Sequence, residues 1–127
     1  MSTTQSIRLT VLVPAFNEAK TIKEVLTKLI KQKDVFEIIV IDDASEDETS
    51  NIARSVKDER VHLIRHSRNQ GKGKAIQTGL REAKGNYILI QDADLEYDPS
   101  EISTMLHPVK NGRATVIFGS RFFGAHT

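Results

Sequence analysis

The sequence predicts an α/β domain in which helices cover both faces of a mostly parallel sheet. Two observations support this: apolar, β-rich runs alternate with helical periodicities, and about five such runs occur within 127 residues. Strands separated by helices form right-handed βαβ units, which align the strands in one parallel sheet. For a doubly wound chain we expect strand order 3-2-1-4 plus a fifth strand. The ligand crevice then lies between the carboxyl ends of the first and fourth strands.

Five strands are expected where apolar runs are short and rich in β-branched residues. They are residues 8–14 (RLTVLVP), 37–41 (EIIVI), 61–65, 87–91 and 115–119. The first helix follows the first strand, because five apolar residues recur there on one helical stripe. These are Ile22, Val25, Leu26, Leu29 and Ile30.

Three further helices are expected. Ser45 and Glu48 resemble a capping box that opens the second helix, whose inward residues are Ile52, Ala53 and Val56. The third helix is predicted to stop at Gly85 as its C′ residue, and it carries Ala75, Ile76, Gly79, Leu80 and Ala83. The fourth spans residues 102–109 and is interrupted by Pro108.

Composition indicates one ordinary globular domain over residues 1–127, with a flexible polar tail at residues 1–6. Hydrophobic residues make up 39% and charged residues 28% of the chain, and the formal net charge is +1. So small a charge argues against nucleic acid as the main partner. The absence of cysteine excludes disulfides and thiolate metal sites, and no signal peptide or apolar span is visible. We therefore expect a cytoplasmic protein.

Three carboxylates stand at alternating positions where the fourth strand ends: Asp92, Asp94 and Glu96. In an extended chain they point to one side, and such hard oxygen ligands suit Mg²⁺ or Mn²⁺. The alternative interpretation is a polar turn in which Asp98, before Pro99, caps the following helix.

Polar residues also follow the first two strands. Asn17 and Glu18 fall at the predicted crevice just after Pro14, although Asn17 is equally suited to cap the first helix. At the end of the second strand, Asp42 or Asp43 can accept hydrogen bonds from a base or ribose, with capping again the alternative.

The loop NQGKGKA precedes the third helix, and its glycines allow a sharp turn close to a ligand. Lys72 and Lys74 oppose the helix dipole there, a conflict that a bound phosphate removes, whereas a solvated basic turn is the alternative. Neither a Walker sequence nor G-x-G-x-x-G is present. Arg121 lies near the edge of the fifth strand, where it can clamp a phosphate. No metal-ligand spacing is found among the histidines, which are His62, His66, His107 and His126.

Five motifs in this order resemble the N-terminal half of family 2 glycosyltransferases, from about Leu9 to Phe123. They are VLVPAFNE, EIIVIDDASED, NQGKGKA, GNYILIQDADLEYDP and VIFGSRF. The branch they resemble most is the polyprenol (dolichol) phosphate sugar transferases, in which many mannose synthases carry Gln at the position of Glu96. The resemblance implies a Rossmann-like, GT-A type domain that binds a nucleotide-sugar.

The resemblance also implies roles for individual residues. Asp92, Asp94 and Glu96 would hold Mg²⁺ or Mn²⁺ on the donor diphosphate, and Asp94 and Arg121 would serve catalysis. The residues assigned to nucleotide-sugar binding are Pro14, Ala15, Phe16, Glu18, Asp43, Ser45, Gly71, Lys74 and Asp92.

The implied reaction is inverting transfer from a UDP- or GDP-sugar to an acceptor such as a polyprenyl phosphate or a glycan. Membrane association would then arise only through a lipid acceptor or sequence beyond Thr127. Because family catalytic domains are longer, we expect acceptor-binding elements to be missing here and transfer by these 127 residues to be weak or absent. The alternatives are a non-catalytic nucleotide-binding or regulatory α/β module and a sugar-nucleotide pyrophosphorylase. A receiver domain needs its acidic pair after the first strand, whereas here the acidic pairs follow the second and fourth strands. A pyrophosphorylase needs a Gly-rich signature directly after its first strand, and that signature is missing here.

Overall fold

The computed structural model describes residues 7–93 and the backbone of two later strands. In chain order its elements are β1 (Leu9–Ala15), α1 (Ile22–Ile30), β2 (Val35–Asp42), α2 (Thr49–Ser55), β3 (Val61–Arg65), α3 (Lys72–Glu82), β4 (Tyr87–Ile90), β5 (Val116–Phe118) and β6 (Arg121–Phe123). The predicted tail at residues 1–6 and the predicted fourth helix lie outside the described residues.

All described strands form one sheet in the order β3-β2-β1-β4-β5-β6. The four strands from β3 to β4 are mutually parallel, which confirms the predicted order 3-2-1-4. β5 pairs with β4 in parallel, and β6 returns antiparallel to β5. Arg121 therefore opens β6, opposite Phe118, rather than closing the fifth strand.

Two apolar layers cover the sheet, one on each face, as the sequence predicts. Side chains alternate along β1, so Val11 and Val13 pack toward α1 and α2 while Leu12 packs toward α3. The predicted stripe on α1 is confirmed, with Ile22, Val25, Leu26 and Leu29 fully buried. Within the described part of the chain, no helix has the length and apolar character needed to cross a membrane.

The prediction that Gly85 is the C′ residue of the third helix is wrong. α3 ends at Glu82, and Ala83 leaves the helix in an extended conformation (φ −66°, ψ 133°). A glycine is needed at position 85 because a Cβ there would lie 2.3 Å from the carbonyl oxygen of Arg8 and 2.5 Å from Oγ1 of Thr10. The close approach to β1 therefore requires the glycine. On the same helix Leu80 is 47% exposed rather than part of the core.

Candidate functional site

A cleft of about 330 Å³ opens at the carboxyl edge of the sheet, between the ends of β1 and β4 and beside the start of α3. This is the predicted switch point of a doubly wound sheet, where the connections that leave two neighbouring strands run to opposite faces of the sheet. The described residues that line the cleft are Pro14, Ala15, Phe16, Glu18, Asp43, Lys72, Ala75, Asp92 and Ala93.

One wall of the cleft is the loop after β1. Pro14 and Ala15 are the last residues of that strand, and the ring of Phe16 is 43% exposed beside them. An aromatic face left in contact with solvent at a cleft can stack on a planar ligand. The Thr21 hydroxyl donates to the carbonyl oxygen of Ala93, a lining residue, and so joins the start of α1 to the segment that follows β4.

Asn17 and Ser45 connect the loops that follow β1 and β2. The backbone N–H of Asn17 donates to Oγ of Ser45 at 2.8 Å, and Oδ1 of Asn17 accepts from the N–H of Glu46 at 2.8 Å. Asn17 adopts the left-handed conformation (φ 53°), which asparagine tolerates better than most residues. Both side chains thus hold one loop against the other.

The interpretation of Asn17 and Ser45 as helix caps is therefore wrong. The N-cap of α1 is Thr21 and that of α2 is Glu48, and neither makes a capping hydrogen bond through its side chain. Near the start of α2, Oδ1 of Asp47 accepts instead from the N–H of Thr49 at 2.9 Å.

The two adjacent aspartates at the end of β2 have different environments. Asp42 is fully buried, and its carboxylate accepts from the N–H of Ser45 at 2.9 Å, from the Ser50 hydroxyl and from the Arg65 guanidinium at 2.8 Å. It braces the β2 loop and does not line the cleft. Asp43 does line it.

The Asp43 carboxylate collects donors from the loop before α3. Oδ1 accepts from the N–H of Gln70 at 2.9 Å and lies 2.8 Å from Nδ1 of His66, and Oδ2 accepts from the N–H of Gly71 at 2.7 Å. Burial raises the pKa of Asp43, but the hydrogen bonds from His66, Gln70 and Gly71 outweigh burial and hold that pKa below its usual value. The carboxylate is therefore ionised at neutral pH.

The start of α3 brings a cation into the cleft. Gly71, the N-cap, has φ 94°, a conformation that favours glycine. The next residue, Lys72, lines the cleft, and its ammonium pairs with the carboxylate of Asp92 at the end of β4. Lys74 lies two positions further on and is absent from the lining, because successive helical residues are rotated by about 100°.

Asp92 is the described member of the predicted acidic cluster, and its side chain is 23% exposed. The Asp92 carboxylate faces the cleft and offers the hard oxygen donors that Mg²⁺ or Mn²⁺ prefers, so this residue fits a divalent cation, which would compete with the Lys72 ammonium for its oxygen. Asp94 and Glu96 lie outside the described residues, as does the side chain of Arg121. Within the described part of the chain, no three His, Asp or Glu side chains are grouped as metal ligands.

Most of the predicted nucleotide-binding residues do converge. Pro14, Ala15, Phe16, Glu18, Asp43 and Asp92 line the cleft, whereas Ser45, Gly71 and Lys74 stand behind or beside its lining. The sequence pattern favoured Lys74 over Lys72 for nucleotide binding and indicated no role for His66. The two lysines could have been distinguished from the sequence, because Lys72 directly follows Gly71 whereas Lys74 is rotated by about 200° around the helix from Lys72. No local pattern identifies His66, since its partners are distant in sequence.

Comparison with known proteins identifies the family. The sequence model of Glycosyl transferase family 2 matches residues 10–125, so the chain belongs to that family. It is 30% identical over 119 residues to a dolichol-phosphate mannosyltransferase of Pyrococcus furiosus, covering 91% of this chain and 34% of that protein. It is 31% identical to the undecaprenyl-phosphate 4-deoxy-4-formamido-L-arabinose transferase of Proteus mirabilis, covering 88% of this chain and 37% of that one. The chain thus spans little more than a third of these two relatives.

A solved structure shares the fold. It is a mannosyltransferase of Pyrobaculum calidifontis in complex with GDP-Man and Mn²⁺, with a TM-score of 0.71 and 31% identity. The match covers 81% of this chain and 32% of the other. The resemblance drawn from the five sequence motifs, including its GT-A type fold, is thereby confirmed.

Proposed function

We propose that this chain is the donor-binding domain of an inverting glycosyltransferase that moves a sugar from a UDP- or GDP-sugar to an acceptor. The observation that supports this most is the cleft at the switch point of the sheet. Four functional groups surround this space of about 330 Å³: the exposed ring of Phe16, the buried carboxylate of Asp43, the ammonium of Lys72 and the carboxylate of Asp92.

Each part of the cleft matches one part of a nucleoside diphosphate. Phe16 offers a ring face to the base, and the Asp43 carboxylate offers an acceptor to a ribose hydroxyl or a base N–H. Lys72 and the first amides of α3 supply positive charge where the diphosphate is expected. Nucleotide binding by Glu18, Ser45, Gly71 and Lys74 remains part of the proposal, with the last three acting from outside the described lining.

We further propose that Asp92, Asp94 and Glu96 hold Mg²⁺ or Mn²⁺. The cation, when bound, offsets the negative charge of the departing nucleoside diphosphate. Support comes from the fit of Asp92 to a cation and from the Mn²⁺ in the mannosyltransferase of P. calidifontis.

The acceptor we propose is a polyprenyl phosphate, because the names of two relatives specify dolichol phosphate and undecaprenyl phosphate. A phosphate oxygen is already anionic near neutral pH, so such an acceptor requires no strong general base. Arg121 is the proposed contact for a phosphate group. A lipid acceptor would bring the domain to the cytoplasmic face of a membrane.

Isothermal titration of the chain with UDP and GDP, each with and without Mn²⁺, tests the proposal. We expect one of the two to bind, and Mn²⁺ to tighten that binding in the wild type but not in Asp94→Ala. Glu59→Ala is the matched control, since Glu59 is an exposed carboxylate outside the lining of the cleft. The proposal would be contradicted if neither nucleotide gave a measurable heat of binding, or if Mn²⁺ tightened binding in Asp94→Ala as much as in the wild type.

A further inference from the structure

His66 follows β3 and is 8% exposed, with both ring nitrogens in hydrogen-bond contact. Nδ1 lies 2.8 Å from Oδ1 of Asp43, and Nε2 lies 2.8 Å from Oγ1 of Thr78 on α3. The backbone N–H of His66 donates to the carbonyl oxygen of Asp42 at 2.9 Å. The imidazole therefore bridges the end of β2 and the third helix from behind the cleft, without lining it.

The direction of the first hydrogen bond follows from the chemistry of the carboxylate. An ionised carboxylate only accepts hydrogen bonds, so Nδ1 of His66 must carry the proton that points at Asp43. The lowered pKa of Asp43 agrees with the ionised form.

The hydrogen bonds around Asp43 leave little freedom for a ligand. A carboxylate has about four acceptor positions. Among the described residues, His66 and the Gln70 amide occupy both positions on Oδ1, and the Gly71 amide occupies one on Oδ2. One acceptor position on Oδ2 remains for a ligand. The direction of this acceptor position depends on the rotamer of Asp43, which His66 and the amides of Gln70 and Gly71 fix.

We propose that His66 is a positioning residue for donor binding: it holds Asp43 so that one carboxylate both anchors the turn before α3 and offers its last acceptor position to the nucleoside. This inference rests on the proposed binding of a nucleotide in the cleft. Thr78 fixes the far side of the ring, so the imidazole also ties Asp43 to the helix that carries Lys72.

Two substitutions at position 66 separate the two contacts of the ring. Asparagine places its amide nitrogen at the same bond distance from Cβ as Nδ1, so His66→Asn retains a donor to Asp43 and loses the contact to Thr78. Glutamine extends one bond further, so His66→Gln favours the contact to Thr78 and loses the donor to Asp43. Thr78→Val removes only the hydroxyl and keeps the shape of the side chain.

Nucleoside diphosphate affinity and the midpoint of urea unfolding are measured for all four proteins, with the titrations run where each is folded. We expect His66→Gln to bind roughly tenfold more weakly than wild type, the scale of one hydrogen bond to a charged acceptor. His66→Asn and Thr78→Val should bind within about threefold of wild type. Equal affinity losses in the Asn and Gln variants, or losses that follow unfolding midpoints, would overturn the positioning role.

The ring proton provides a second test that needs no variant. Long-range ¹H–¹⁵N spectra of the wild type should show Nδ1 of His66 protonated, and addition of nucleotide should shift both ring nitrogens although the ring lies outside the cleft. An unprotonated Nδ1 would refute the inference. Wild type that binds no nucleotide would refute the proposed function instead, so the two failures are distinguishable.

Discussion

Asp43→Asn tests whether the carboxylate at the end of β2 stabilises the fold as well as lining the cleft. The substitution keeps the size of the side chain and removes its charge. Three donors converge on this carboxylate, from His66, Gln70 and Gly71. An asparagine oxygen can accept two of them, which leaves the third N–H facing an amide NH₂ group.

The expected cost follows from that geometry. One hydrogen bond to a charged acceptor is lost, and if the asparagine oxygen takes the place of Oδ1, the part-buried N–H of Gly71 is left facing the NH₂ group. Together these predict destabilisation by about 2–3 kcal/mol at pH 7.

The pH dependence of this cost has a definite sign. Because the pKa of Asp43 is lowered in the folded protein, its contribution to stability is fully present above the unfolded carboxyl pKa of about 3.9. The contribution is lost as the pH falls through the lower folded value. The difference between wild type and Asp43→Asn should therefore persist from pH 7 to about pH 5 and shrink below about pH 4.

Urea unfolding followed by circular dichroism at pH 7, pH 5 and pH 3.5 measures the difference. Glu59→Gln is the control, because it removes one exposed carboxylate of the same charge. If Asp43→Asn unfolds at the same urea concentration as Glu59→Gln at pH 7, the three converging hydrogen bonds do not stabilise the fold.

Three further substitutions test separate features. Gly79→Ala should lower the free energy of unfolding by about 1–3 kcal/mol in urea, because its Cβ would meet buried side-chain atoms at 2.8 and 2.9 Å. Gly73→Ala on the same helix would meet nothing within 4 Å and should raise that free energy by up to about 1 kcal/mol. Equal effects of the two substitutions would show that packing at Gly79 is not tight. Lys72→Met should weaken nucleoside diphosphate binding about three- to tenfold by calorimetry and reduce its salt dependence. Lys74→Met should weaken binding less, because Lys74 acts from outside the described lining, and an equal loss would contradict the geometry. Arg60→Ala should lower the stability measured by thermal unfolding by about 2 kcal/mol, because the Arg60 guanidinium donates to three backbone carbonyls at and after the end of α1. An unchanged melting temperature would show that those hydrogen bonds do not stabilise the fold.

The sheet was predictable because its determinants are local and repeated. Continuous apolar runs such as that of β2 mark strands buried on both faces, and the periodicity of α1 marks a helix with one buried stripe. The handedness rule for parallel crossovers then leaves few strand orders, and the observed order is one of them.

The capping predictions failed for a common physical reason. Asn17 and Ser45 have the side chains of helix caps, yet each bonds to the other loop, across 28 or 29 positions of sequence. Gly85 looks like a helix terminus, but the backbone of β1 determines its identity. Tertiary partners compete with local ones for the same polar groups, and a sequence pattern shows only the local ones.

The candidate site was predictable in outline for a similar reason. Carboxyl ends of parallel strands meet at one edge, so Ala15, Asp43 and Asp92 were expected near one another. The sequence alone does not reveal that Asp43 is held by His66, because that contact depends on how β3 and α3 pack.

Amide chemical-shift mapping tests the location of the binding site most directly. The ¹⁵N-labelled chain is titrated with UDP and with GDP in the presence of Mg²⁺, which is diamagnetic. We predict that for the nucleotide that binds, the largest shifts occur at the amides of Ala15, Phe16, Gly71 and Lys72, around the cleft between β1 and β4. Spectra unchanged by either nucleotide, or shifts centred on the hollow beside Glu37 at the other end of the sheet, would contradict the account.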